Sequence, residues 1–217
     1  MDALYTPGKF LGLWNNYHSL ATKQGLSIPS EPLYFVKTPN SYSRSGAVVL
    51  PPIDSEVGRV VFEGELGIVI GRRCVNVDVS QAAKCIAGYT CVNDFTATGL
   101  LMRDPAFTQW TRAKSFDGFG AFGPAIVSGL DWRELRVQTL VDGRVRQDYP
   151  CADMVFGPEQ IVACLSRDMS LEPGDLIACG TSVGVLPLRE GSVVDVHIAG
   201  IGTLRSFYGQ PRDRGLD

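Results

Sequence analysis

The sequence predicts a mainly β protein with a few short helices, of the α+β kind, whose sheet folds over into a sandwich or β-roll. Three observations lead there. Glycine and proline, 24 and 13 among 217 residues, are spread evenly, as turns between short strands require. The clearest apolar runs have strand length and make-up. Helical spacing shows in only two or three short windows, too few for the strand–helix alternation of a doubly wound α/β sheet.

Taken in order, residues 1–30 read as an irregular start, an N-terminal extension within a single domain spanning 1–217. Residues 33–36 (LYFV) read as a short strand ending at Lys37, Thr38 and Pro39. Residues 40–58 are rich in Ser, Gly and Pro and read as loop. Residues 59–70 (RVVFEGELGIVI) are the clearest strand. Residues 79–87 have helical spacing, with Asp78 or Ser80 as cap and Gly88 as stop. Residues 89–95 (YTCVNDF) return as a strand. Residues 96–120 are long, polar and aromatic, which predicts a lid or binding loop. LRVQTLVDGRVRQDY is a hairpin about Asp142-Gly143, and a helix follows over 158–166 with Pro158 in its first turn. Residues 173–204 are mostly strand, broken at Pro173-Gly174-Asp175, Glu190-Gly191 and Gly200.

Charge and composition narrow the partners. Twenty basic residues face 23 acidic ones, a net charge of −3 with no basic block, so neither nucleic acid nor an anionic membrane is expected. MDALYTPGKF is no signal peptide, and no stretch has the roughly 18 apolar residues of a membrane span, which points to the cytoplasm. The six cysteines form no C-x-x-C pair and mostly sit in apolar runs, as buried thiols of a reducing compartment do. The partners expected are small molecules or a second copy of the chain.

Glu63 and Glu65 lie two apart on the strand and share one face. Both faces of that strand are largely apolar, as in a strand covered on each side. Two carboxylates there repel one another and each costs several kcal/mol to desolvate without a cation. No Lys or Arg lies at the strand's centre, and a divalent ion meets the need. Asp94 ends the next strand, 29 residues after Glu65, and one helix between them allows the strands to lie side by side. Three oxygen ligands without His or Cys suit Mg2+ or Mn2+ better than zinc. From the pattern alone, a metal site and a solvent-facing pair on an edge strand both stay open.

FEGELGIVIGRR, AGYTCVNDFTA, WTRAKSFDGFGAFGP, LEPGDLIACGTSVG and GIGTL occur in the order and spacing of the fumarylacetoacetate hydrolase family. The chain resembles that family over about residues 10–208, most closely its small isomerase and acylpyruvase-like members. The resemblance implies the family's folded β-sandwich or β-roll, a homodimer, and Mg2+ or Mn2+ held by Glu63, Glu65 and Asp94. It implies a 2-oxo acid substrate and a metal-stabilised enolate, whether the reaction is C–C hydrolysis, decarboxylation or tautomerisation. It implies catabolism of an aromatic compound. Lys114 matches the family's lysine in A-K-S-F, where its charge suits a substrate carboxylate or the developing enolate. Thr181, in GTSVG, matches a threonine that binds the substrate carboxylate, beside backbone N–H groups at Gly180. Lys37 matches a lysine after the LYFV-type strand, and Gln109 and Arg112 belong to a loop expected to line the pocket.

Two departures bear on the reaction. The hydrolytic members carry a His followed three residues later by a Glu, which activate water. His18 lies at the matching distance after Gly12, but Ala21 stands where the Glu belongs, and the Asn-Tyr pair that usually precedes the His is replaced, with Asn16-Tyr17 directly before His18 instead. The family's arginine after the metal Asp is replaced by Thr98, with Arg103 or Arg112 as substitutes, which suggests a changed distal group on the substrate. His197 shares a strand face with Val193 and Asp195, opposite Val194, Val196 and Ile198, and reads as surface-facing. The metal, the carboxylate clamp and Lys114 suffice for decarboxylation or isomerisation, whereas the orienter for hydrolytic water is missing. Lyase or isomerase chemistry is therefore favoured over an acylpyruvate C–C hydrolase, and both over a metal-binding relative without activity.

Overall fold

The computed structural model describes residues 6–101 and 103–210. In chain order the first elements are β1 (Phe10–Trp14), α1 (His18–Gln24), β2 (Leu33–Lys37), β3 (Tyr42–Arg44), β4 (Ala47–Val49), β5 (Val60–Val61) and β6 (Gly64–Ile70). Next come α2 (Val79–Ala82), β7 (Ile86–Asp94), β8 (Thr96–Ala97), α3 (Thr98–Leu101), α4 (Trp110–Lys114) and β9 (Gly120–Val127). The chain continues through β10 (Arg136–Val141), β11 (Arg144–Pro150), α5 (Pro158–Asp168), β12 (Leu176–Ala178), β13 (Ser192–Ile198) and β14 (Gly202–Tyr208). Strands dominate, as the sequence predicts.

A seven-stranded sheet runs β2-β1-β12-β6-β7-β9-β3, and a five-stranded sheet runs β11-β10-β13-β14-β4. β5 and β8 form a separate two-stranded ribbon. The two large sheets meet over a core that includes Leu66, Ile68 and Ile70 of β6 and Val137, Val196, Ile198 and Leu204 of the second sheet. On the far side of the first sheet a smaller cluster holds Phe10, Val69, Val92 and Phe122. β6 is buried at every position, which explains why its sequence is apolar on both faces. The β10–β11 hairpin turns on Asp142 (φ 52°) and Gly143 (φ 74°), the left-handed pair that an Asp-Gly turn supplies.

Several details differ from the sequence expectation. The irregular start contains β1, which lies inside the first sheet, parallel to β12 and antiparallel to β2. It also contains α1, whose first turn has no side-chain cap of its own, and Asp153 accepts from the Ser19 N–H instead (3.0 Å). The loop-rich stretch 40–58 contributes two three-residue strands, β3 and β4, each recruited by a neighbour rather than by its own pattern. The expected helix over 79–87 is shorter. Asp78 caps α2 in a capping box with Gln81, a 3-10 turn follows at Ala83–Cys85, and β7 begins at Ile86. Within the predicted lid, α3, α4 and the buried Phe119 take up much of the chain, while Phe107 is exposed. All six cysteines are free, five of them buried. His197 is half-exposed and its Nδ1 lies 3.0 Å from Thr203 Oγ1. Among the described residues no helix is long and apolar enough to cross a membrane.

Candidate metal centre

The strand predicted over 59–70 is interrupted. Val60 and Val61 pair with Ala97 and Thr96 in the small ribbon, and the chain enters the large sheet only at Gly64. Glu63 sits at this break. Its carbonyl still accepts from the Asp94 N–H (2.8 Å), and its own N–H donates to Asn93 Oδ1 (3.3 Å). The antiparallel register of β6 with β7 sets Gly64 opposite Asn93 and Glu65 opposite Val92. Asp94 therefore arrives beside both glutamates, and one carboxylate oxygen from each of the three lies within 4.8 Å of the others.

Two lysines enter the same cluster. Lys114 ends α4, is buried, and donates from Nζ to Glu63 Oε2 and Asp94 Oδ2, each at 2.6 Å. Lys37 ends β2, is fully buried, and donates to Asp94 Oδ1 and to the Lys114 carbonyl. A glycine makes room for it, because a Cβ at Gly120 would lie 2.8 Å from Lys37 Cε. Gly180, with φ 87°, donates its N–H to Glu65 Oε2 (2.7 Å). The other carboxylate oxygen, Glu65 Oε1, is buried without a partner.

Three carboxylates against two ammoniums leave one negative charge uncompensated in a buried place. Burial, then the charges of Asp94 and Glu63, push the Glu65 carboxyl well above the usual carboxylate range. Burial raises Glu63 as well, against the pull of Lys114. Burial lowers Lys37, whereas Asp94, Glu63 and Glu65 together overcome burial at Lys114 and raise it. A cluster of this kind costs stability unless a further cation completes it. The all-oxygen donor set and the unpartnered Glu65 Oε1 fit a hard divalent ion such as Mg2+ or Mn2+. Mn2+ at about a hundred times its Kd is expected to stabilise the fold by about 2.7 kcal/mol, or roughly 5–10 °C in Tm. Glu65→Gln should abolish that rise in a thermal melt. An unchanged Tm of the unsubstituted protein with both metals would count against the site.

The second sheet clamps the segment between the glutamates. The Gly64 N–H donates to Gln147 Oε1 (3.0 Å), and its carbonyl accepts from Thr181 Oγ1 (3.0 Å) and from the Tyr149 hydroxyl. Gln147 Nε2 closes the ring by donating to Thr181 Oγ1 (2.8 Å). Gln147 and Tyr149, the buried positions on β11, do not stand out in the sequence. The available signal is a Gln and a Tyr two apart in the hairpin strand, but nothing in that spacing says which face meets Gly64.

A cavity of about 230 Å³ opens over the cluster, lined by Glu63, Lys114, Thr181, Asn15, Leu20 and Gln24 among others. The structure thus brings Glu63, Glu65, Asp94, Lys37, Lys114 and Thr181 together. His18, the first residue of α1, is exposed and is not among the residues lining this cavity. Gln109 precedes α4 and accepts from Arg112 Nη1 (3.3 Å). Arg112 is exposed, and neither residue lines the cavity. Arg103 donates to the Glu56 carbonyl (2.6 Å), and Thr98 Oγ1 donates to the Arg59 carbonyl (2.9 Å).

Folded sheets around a buried carboxylate trio with attendant lysines define a candidate divalent-metal site, and comparison with known proteins gives it a family. The family model for the fumarylacetoacetate hydrolase C-terminal domain matches residues 9–207. The chain belongs to the fumarylacetoacetate hydrolase family. Among solved structures it is similar to a 5-carboxymethyl-2-hydroxymuconate delta-isomerase from Mycobacterium smegmatis, at 35% identity and a TM-score of 0.86 over 94% of this chain and 80% of that one. It is similar to a 2-hydroxyhepta-2,4-diene-1,7-dioate isomerase from Mycobacterium marinum, at 36% identity and a TM-score of 0.84 over 94% and 75%. It is also 33% identical over 204 residues to a 4-hydroxyphenylacetate degradation bifunctional isomerase/decarboxylase of Salmonella dublin, covering 93% of this chain and 47% of that protein.

Proposed function

We propose that the protein is a Mg2+- or Mn2+-dependent enzyme that decarboxylates or isomerises an enolisable 2-oxo acid, in the catabolism of an aromatic compound. The observation that carries this reading is the buried carboxylate trio, shared with Lys114, beneath a cavity that also presents Thr181. The isomerase and decarboxylase names of the relatives support the reaction class.

When bound by Glu63, Glu65 and Asp94, a divalent ion supplies Lewis acidity toward the 2-oxo and 1-carboxylate oxygens. The remaining parts belong to the chain. Lys114 keeps its proton and offers positive charge where negative charge develops on the substrate. Lys37 donates to Asp94 Oδ1 and holds that carboxylate in place. The Gly180 N–H fixes one oxygen of Glu65, and Gln147 orients the Thr181 hydroxyl.

Ala21 favours this chemistry over hydrolysis. It is fully buried at the position where the hydrolytic pattern has its carboxylate, and no histidine is among the described residues lining the cavity. A screen of 2-oxo acids with Mg2+ or Mn2+, with all products identified, tests the reading. Carbon dioxide or a ketonised product is expected. Two acids from chain cleavage, at a rate that falls sharply on His18→Ala, would replace it with an acylpyruvate hydrolase. Metal-dependent stabilisation without any turnover would leave a metal-binding relative. The family resemblance also supports a cytoplasmic homodimer, which sedimentation of the purified chain checks for mass.

A further inference from the structure

The relatives named for 1,7-dioate and carboxymethyl compounds take substrates with a second carboxylate, and such a group needs a cation. A buried or half-buried carboxylate without one is costly. In this chain the arginine place after Asp94 holds Thr98, whose hydroxyl is engaged by the Arg59 carbonyl. Arg103 and Arg112, the available substitutes, are exposed and turned to Glu56 and Gln109. Among the described residues, Lys114 is the only cation lining the cavity over the carboxylates, and its Nζ donates to two of them.

The space beyond the carboxylates is apolar. A second cavity of about 600 Å³ adjoins the first and shares Trp14, Leu101 and Trp110 with it. Leu33, Phe35 and Pro105 add to its walls, and no Lys, Arg or His is among the described residues lining it. The Tyr34 hydroxyl on its rim donates to Asp168 (3.3 Å). The walls are braced by ring packing. Trp110 stacks on Phe35 (centroids 5.7 Å, planes 16° apart) and tilts against Trp14 (5.5 Å). Phe35 in turn lies under Lys114, with Nζ 4.9 Å from the ring centroid. One aromatic ring therefore separates the charged cluster from the apolar cleft.

We infer that this cleft is the subsite for the distal end of the substrate, and that it takes an uncharged aromatic or alkyl tail rather than a second carboxylate. The inference rests on the 2-oxo acid reading of the carboxylate site and narrows it to monocarboxylic acids with an apolar tail.

Unreactive oxamates carry the same 1-carboxylate and 2-oxo oxygens with a tail of choice. With the full-length protein and saturating Mn2+, quenching of tryptophan fluorescence gives a Kd for each. N-phenyloxamate should bind at least about tenfold more tightly than N-oxalylglycine, whose tail ends in a carboxylate. Trp110→Ala should shrink that preference to within about threefold. Leu101→Arg, placing a cation where the two cavities meet, should reverse it in favour of N-oxalylglycine. Equal or tighter binding of N-oxalylglycine by the unsubstituted protein overturns the inference and leaves the 2-oxo acid reading intact. Failure of both oxamates and of oxalate to bind, while Mn2+ still raises Tm, overturns both. If Leu101→Arg instead changes the sedimenting mass and leaves the preference untouched, the cleft is a contact between copies and the inference falls.

Discussion

Gly64→Ala is expected to destabilise the protein by about 3 kcal/mol, seen as a Tm roughly 6–12 °C lower, and to weaken Mn2+ binding at least about tenfold. A Cβ at Gly64 would lie 1.9 Å from Thr139 Oγ1, 3.2 Å from Thr139 Cβ and 3.3 Å from Gln147 Oε1. Neither side can give way cheaply. Gly64 belongs to β6 in the middle of one sheet, and Thr139 and Gln147 belong to β10 and β11 of the other. The residue also lies between two of the carboxylates, and three side chains of the second sheet and the 180s loop hold its backbone. Any shift that relieves the clash therefore moves Glu63 and Glu65 against Asp94. Thr139 supplies the control. Its hydroxyl is buried without a partner, so Thr139→Ala removes an unsatisfied group along with a methyl and should cost at most about 1 kcal/mol. In the double variant the nearest clash is gone, and about half of the lost stability and Mn2+ affinity should return. Losses that simply add in the double variant would show that the close approach is not the cause.

The same glycine shows what the sequence can and cannot reveal. E-x-E marks two carboxylates close together, although Glu63 sits at the break before β6 rather than on the strand, and the all-oxygen donor set suits a hard ion. β6, β7 and the Asp-Gly hairpin are legible because their periods and turn residues act locally. The middle residue of Glu-Gly-Glu carries no such sign, because its requirement comes from Thr139 and Gln147, far along the chain in another sheet. β1 is hidden for a related reason. Phe10–Trp14 is short, interrupted by Gly12, and pairs with β12 in parallel, Phe10 opposite Leu176. Gly12 is itself explained only in three dimensions, since a Cβ there would lie 2.4 Å from the Phe35 ring. The break at Phe62–Glu63 is also invisible in an apolar run, because it depends on β8 capturing Val60 and Val61. Lys37, Lys114 and Thr181 enter through family likeness, and their spacing alone does not bring them to the carboxylates. The apolar cleft has no local signature either, as its rings come from β1, β2 and α4.

Lys114→Met is the second large effect, and its size depends on whether metal is present. Without metal the variant leaves Glu63 Oε2 and Asp94 Oδ2 without their shared ammonium. Removing one member of a buried ion pair costs about 3–5 kcal/mol, and proton uptake by the carboxylates sets the limit. Burial already raises Glu63 above its ordinary 4.5, with Lys114 the largest influence opposing the rise. Without the lysine, the folded state holds protons on the cluster that the unfolded chain gives up. Stability of the metal-free variant should therefore fall as pH rises above about 4.5, and its deficit against the unsubstituted protein should be wider at pH 8 than at pH 5. Mn2+ should narrow that deficit. In the unsubstituted protein the ion must compete with the Lys114 ammonium for two carboxylate oxygens, whereas in Lys114→Met it meets them free. The metal-induced rise in Tm should then be larger in the variant at the same Mn2+ concentration, because its Kd is lower, while turnover of any 2-oxo acid is lost. Thermal melts with and without Mn2+ at both pH values decide the matter. A rise that disappears in Lys114→Met would mean that the lysine builds the metal site, and that the contacts at 2.6 Å are scaffolding for the ion rather than its competitor.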